Sequence, residues 1–188
     1  MKKMYIAIGA IVVGLVILII SIFTMYVNYS NAGNRSEKQI EKLYNNSQSV
    51  LSNYTMTIVE TTKVSTKYRK DLEDIIKATM SGRYGEDGIE SVVTFLQEQN
   101  LQLDSKMYTN IQNTMIAGRK DFLNSQNLLM DACASYKTSL DNVVSGMFLH
   151  FAGYPKTNLQ EKCTPITDER TDASFKSKKQ KAIDVTAE

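Results

Sequence analysis

The sequence predicts an all-α protein, an N-terminal transmembrane helix followed by a long antiparallel helical bundle. Three observations carry this. No charged side chain occurs between Met4 and Asn34. Two later stretches place apolar side chains at alternating steps of three and four residues, the mark of amphipathic helices. And the 188 residues include only two prolines, each of which would cost a helix interior about 3 kcal/mol.

The first element is the anchor, residues 1–30. Its centre, Ile6 to Phe23, is almost wholly apolar and long enough as a helix to cross roughly 30 Å of hydrocarbon. Tyr5, Tyr26 and Tyr29 flank it, as aromatic residues do at a membrane–water boundary. Lys2 and Lys3 would also suit a signal peptide. The apolar run, however, exceeds the roughly 7–15 residues of a signal-peptide core, and no small-residue cleavage site closes it. The compact basic N-terminus places the following domain outside the cytosol. Arg35, Lys38 and Lys42 beyond the span weaken that asymmetry.

The bundle is expected over residues 31–155. Asn28, Asn31, Gly33 and Asn34 mark a weak joint. A long helix follows over about 34–80, its seam stepping from Ile40 through Tyr44, Ser47, Leu51, Tyr54, Ile58, Thr61, Ser65, Tyr68, Leu72 and Ile75 to Thr79. Charged residues such as Glu37, Lys38, Glu41, Lys42 and Asp71 lie between these positions, as on a solvated face with coiled-coil periodicity. A turn at 81–88 and a short helix over about 88–100 come next. In the latter, Ile89, Val92, Val93 and Leu96 share one face.

A second long helix spans about 105–147, its seam stepping from Tyr108 through Ile111, Met115, Phe122, Leu129, Tyr136 and Val143. Every seventh residue on that seam is small: Gly118, Ser125, Ala132, Ser139 and Gly146. Small side chains let a partner backbone approach, which predicts tight packing on the first long helix. The apolar segment 143–155 returns to the membrane end, where it either caps the bundle or rests on the bilayer through Phe148, Phe151 and Tyr154. Residues 156–188 read as a charged, disordered tail, with the basic run Lys176 to Lys181 balanced by acids.

The chemistry is spare. Gly82, Gly85 and Gly88 in "SGRYGEDG" have the spacing of a phosphate loop. They follow a helix rather than a strand, and no Gly-Lys-Ser/Thr follows them, so they read as a turn. That turn lies at the far end of the hairpin, where Arg83 and Tyr84 form a candidate partner-contact tip. No catalytic or metal-ligating constellation is present: His150 is the single histidine, and Cys133 and Cys163 lie far apart with no CxxC or Cys/His grouping. No cofactor is implied. If the domain lies outside the cytosol, Cys133 and Cys163 are candidates for a disulfide pinning the tail to the bundle. A net charge of +2 is too small to indicate nucleic acid as a partner.

Several local strings in order resemble the LemA family of bacterial, sometimes phage-encoded, membrane proteins. They are Asn34-Arg35 opening the first bundle helix, "IVETTK" (Ile58 to Lys63), "IAGRKDF" (Ile116 to Phe122) and the closing "MFLHFAGYP". Where that family carries a proline before its Val-Glu-Thr string, this chain reads "NYTMTIV", which predicts a straighter helix. The resemblance implies an all-α bundle of unsettled biochemical role and adds no active site; it also implies an N-terminus outside the cell, opposite to the orientation read from charge. The resulting expectation is a non-enzymatic, single-pass protein of the bacterial cytoplasmic membrane, a structural or interaction module. Its partners would be the lipid bilayer and another protein or a second copy of itself. The alternative is a phage-encoded envelope effector whose segment 143–155 contacts or perturbs the membrane.

Overall fold

The computed structural model describes residues 2–62, 68–80, 88–98, 105–166 and 176–178. Among them the regular elements are all helices: α1 (Lys2–Thr62), α2 (Arg69–Met80), α3 (Gly88–Glu98), α4 (Ser105–Asp141), α5 (Val143–Phe151) and α6 (Leu159–Lys162). The protein is all-α, with a long apolar helix at its N-terminus. By length and composition α1 is able to cross a membrane, and its residues 5–25 are exposed throughout. Its polar hydroxyls there are satisfied within the helix: Ser21 Oγ donates to Ile17 O and Thr24 Oγ1 to Ile20 O, both at 2.8 Å. Internal pairing of this kind is what hydrocarbon requires of a polar group.

α1 does not break at the expected joint. It runs 61 residues through Asn28, Asn31, Gly33 and Asn34. A single glycine costs a helix only about 1 kcal/mol, and Gly33 is buried against other parts of the fold. The helix expected over 34–80 is instead found as α1 and α2, on either side of residues 63–67, which lie outside the described residues. At the last described residues of α1 two threonine hydroxyls turn back onto the helix, Thr61 Oγ1 to Thr57 O at 2.7 Å and Thr62 Oγ1 to Val59 O at 3.1 Å.

The chain forms two compact units, one built from Met1–Lys42 with Leu129–Thr164 and one whose main part is Leu43–Leu128. In the second, a single core gathers Ile58 and Val59 of α1, Leu72 and Ile76 of α2, Val92 and Leu96 of α3, and Ile111 and Met115 of α4. α2 and α3 pack on each other. Of the apolar face expected of α3, Val92, Val93 and Leu96 are buried. Tyr54 Oη donates to Asp121 Oδ2 at 2.5 Å, and Gln126 Nε2 to Ser47 Oγ at 2.6 Å. A later residue of α1 thus pairs with an earlier one of α4, so within this unit the two helices are antiparallel. The same register brings Gly118 level with residues 55–57 of α1; Gly118 and Thr55 are both buried.

Burial departs from continuous heptads in a regular way. Along α4 the buried positions are Ile111, Met115, Gly118, Phe122, Ser125 and Leu129, as expected, but then Cys133, Tyr136 and Leu140. Ala132 and Ser139 are left half-buried. α1 makes the same slip, from Ser47 and Leu51 to Thr55, Ile58 and Thr62. An α-helix drifts about 20° per heptad from a strict seven-residue repeat. Three heptads therefore move the seam by more than half of the angle between successive residues, and a neighbour takes its place.

α4 also ends earlier than expected, at Asp141. Asn142 is extended (φ −67°, ψ 140°) and α5 starts afresh at Val143. Gly146, expected on the seam, sits at this corner, where a Cβ would run into the carbonyl oxygen of Leu140. Ser145 Oγ bonds Ser139 O at 2.6 Å across the same bend. Residues 156–166, expected in the disordered tail, are ordered: Asn158 caps α6 by accepting from Glu161 N at 3.2 Å, and Cys163 is buried. Residues 167–175 and 179–188 lie outside the described residues.

Candidate functional site

The densest convergence of features lies in the first unit, where α5 and the chain after it meet α1. α5 is apolar along its length, with His150 its one titratable side chain. Gly146, Phe148 and Leu149 are buried. Phe148 stacks on Tyr29 (centroids 5.5 Å apart, planes 9° from parallel), and Phe151 meets Tyr26 edge-on at 5.8 Å. Burying Phe148 and Leu149 contributes about 1.5–3 kcal/mol each. Gly33 makes this approach possible. A Cβ at that position would lie 2.6 Å from Leu149 Cδ2 and 3.1 Å from two carbons of the Tyr154 ring.

The turn after α5 uses Gly153 in the left-handed region (φ 79°), followed by a cis Tyr154–Pro155 bond. His150 Nδ1 lies 3.2 Å from Tyr154 O. That carbonyl can only accept, so Nδ1 carries the proton. One carboxylate then gathers the outgoing chain: Glu37 Oε1 accepts from Tyr136 Oη (2.9 Å), from Lys156 N (2.6 Å) and from Thr157 N (3.2 Å). Burial pushes the Tyr136 phenol well above its ordinary range, and the bond to Glu37 adds to this. The Lys156 ammonium lies 4.5 Å from the centroid of the buried Tyr154 ring, close enough for a cation–π attraction. Farther on, Cys133 of α4 and Cys163 are joined in a disulfide, with Cα atoms 5.8 Å apart. Segment 143–163 is thus held to α1 at Tyr26, Tyr29, Gly33 and Glu37, and to α4 by the disulfide.

The aromatic residues expected at a membrane surface divide. Phe148 and Tyr154 are buried against the protein, while Phe151 is 81% exposed. Val143 (88%) and Met147 (61%) share that exposure, and sequence reasoning did not single them out as surface residues. Arg83 and Tyr84, the expected partner-contact tip, fall among residues 81–87, outside those described. Between α5 and α1 lies an open apolar cleft of about 870 Å³, lined by Ile19, Ile22, Phe23 and Tyr26 on one side and Met147, Phe148, His150 and Phe151 on the other. Among the described residues no cluster of three or more histidine, cysteine or acidic side chains is placed to hold a metal ion. Glu37 and Gly33 are the residues that sequence reasoning missed: one reads as a solvated carboxylate, the other as a joint. No protein-family model, characterised relative or solved structure matches the chain.

Proposed function

We propose that the chain is a single-pass protein of a bacterial cytoplasmic membrane. Its helical bundle stands outside the cytosol as a non-enzymatic structural or protein-interaction module, related to the LemA family. One observation carries the reading. α1 passes from the apolar span into the packed core without leaving the helix, so the anchor and the bundle share one element. The disulfide supports the outward orientation, since such bonds persist in oxidising compartments. Lys2 and Lys3 then sit on the cytosolic side, in keeping with positive-inside charge. The polar contacts of Glu37 tie segments together, joining α1 to Tyr136 of α4 and to the backbone of Lys156 and Thr157. In this reading Arg83 and Tyr84, which lie outside the described residues, are the residues proposed to meet a partner.

The test is thiol labelling of the full-length chain in intact bacteria with a membrane-impermeant maleimide, beside a phosphatase reporter fused after Glu188. The expected result is an active reporter and no labelling until a reductant is added. A silent reporter, with both cysteines labelled only after lysis and without reduction, overturns the orientation. The second reading, an envelope effector that perturbs the bilayer, is favoured by the bare apolar face of α5. It requires the full-length chain to release dye from vesicles on insertion, and intact vesicles eliminate it.

A further inference from the structure

The exposed face of α5 is large for a nine-residue helix. Val143, Val144, Met147 and Phe151 are all exposed and fall on one side of it, while Gly146, Phe148 and Leu149 turn inward. From Asn142 to Pro155 no lysine, arginine or carboxylate occurs, and the nearest charges, Asp141 and Lys156, bracket the stretch and are exposed. The apolar surface does not end with α5. It continues through the Tyr26–Phe151 contact and across the cleft onto Ile19, Ile22 and Phe23, which are themselves exposed on the span.

The level of α5 along α1 follows from helix rise. Ile6 to Phe23 cover about 27 Å at 1.5 Å per residue, close to the roughly 30 Å of a hydrocarbon core. Tyr26 and Tyr29 therefore fall at the boundary between hydrocarbon and headgroups. α5 touches α1 at these two tyrosines and at Gly33, so it lies at the same boundary. Short amphipathic helices at that depth bury their apolar face about 5–10 Å into the headgroup–acyl region.

We propose that α5 is a second lipid-binding element: its face of Val143, Val144, Met147 and Phe151 beds into the leaflet from which α1 emerges, and acyl chains fill the cleft against Ile19–Tyr26. This rests on the reading of α1 as a membrane span. The occupant is the bilayer rather than another protein, because the bare face is continuous with the surface that lipid already covers along the span.

The chain contains no tryptophan, so one substitution gives a reporter free of background. Full-length Phe151→Trp and Met147→Trp are reconstituted in phosphatidylcholine–phosphatidylglycerol vesicles whose acyl chains carry bromine, which quenches tryptophan on contact. Ile17→Trp reports the span and Leu128→Trp an exposed position of α4; all four wild-type side chains are exposed, so the indole adds no burden to the core. The expected result is loss of emission for Ile17→Trp, Phe151→Trp and Met147→Trp, with Leu128→Trp unaffected. Phe151→Trp should lose most when the bromines sit high on the chain, near the headgroup. Ile17→Trp quenched with Phe151→Trp emitting as in water overturns the inference and leaves the anchor standing. A blue-shifted but unquenched Phe151→Trp also overturns it, by showing that protein covers the face. If Ile17→Trp is unquenched too, the membrane-span reading fails first.

Discussion

Cutting the disulfide gives a change large enough to measure and calculable in advance. Cys133 and Cys163 are separated by 30 residues. In the chain-entropy model, closing a loop of that size removes about 12 cal/mol/K from the unfolded chain, or about 3.6 kcal/mol at room temperature. A unit of this size moves its midpoint by about 4–8 °C per kcal/mol, so the bond should raise it by about 14–29 °C. The comparison of choice is wild type, oxidised against reduced, in one detergent, because it changes the cross-link and nothing else. The Cys133→Ala/Cys163→Ala pair is the second arm, and it should fall lower by the packing of two buried sulfurs. Far-ultraviolet dichroism is a poor probe here, since the span of α1 stays helical in a micelle. Near-ultraviolet dichroism reads the packing of Tyr136 and Tyr154, which are buried in the same unit as the disulfide. A midpoint that moves by less than about 2 °C after both thiols have been shown free would refute the reasoning. It would mean that the loop is already restrained when the rest of the unit unfolds.

Four other outcomes follow from the same contacts. Gly33→Ala should destabilise despite a gain of about 1 kcal/mol in helix propensity, because overpacking costs about 1–3 kcal/mol and the new Cβ would press on Leu149 and Tyr154; faster hydrogen exchange at Tyr154 would show it. Glu37→Ala should deprotect the amides of Lys156 and Thr157, which bond its carboxylate, and unchanged exchange there would disprove the clasp. Tyr136 has its phenol raised in the folded state, so its contribution is fully present below an unfolded value of about 10 and is lost as pH rises beyond it, by up to about 1.4 kcal/mol per pH unit. Denaturant titrations across that window should show a slope that Tyr136→Phe flattens. Last, Gln126 Oε1 is buried with no hydrogen-bond partner among the described residues, while its amide nitrogen holds the buried Ser47. Replacing both, Ser47→Ala with Gln126→Leu, should be neutral or stabilising where Gln126→Leu alone is not, and a double-mutant cycle measures the difference.

Helix identity was legible wherever the pattern was local. The span, the α3 face of Val92, Val93 and Leu96, and the α4 seam from Ile111 to Leu129 follow directly from spacing and are buried or exposed as spacing demands. The seam beyond Leu129 was misread because a strict heptad was extended past the distance over which a straight helix can keep it. Cys133 and Leu140 then take the places given to Ala132 and Ser139. The break at Asn142 was missed although asparagine is a favoured N-cap, because the apolar spacing runs on through it, and the close approach of Gly146 to Leu140 is visible only in three dimensions. Glu37 could not be found from spacing at all. It lies beside the seam, where carboxylates are normally solvated, and its three donors come from residues 99 to 120 positions away.

The length of the uncharged stretch is the point at which these features meet. Tyr5 to Asn34 would extend about 45 Å as a helix, well beyond the roughly 30 Å that hydrocarbon requires. The excess lies at the C-terminal end, and that is where α5 docks: Tyr26, Tyr29 and Gly33 fall at steps of three and four on one face of α1 and each meets a residue of the 148–154 segment. A tyrosine pair that reads as an interfacial belt is also half of a helix–helix contact, and a glycine that reads as a joint is its point of closest approach. One charged side chain on that face would have to be desolvated by Phe148 or Leu149, at a cost of several kcal/mol. The absence of charge from Tyr26 to Asn34 is therefore explained by α5 and the turn after it, which pack on this part of α1.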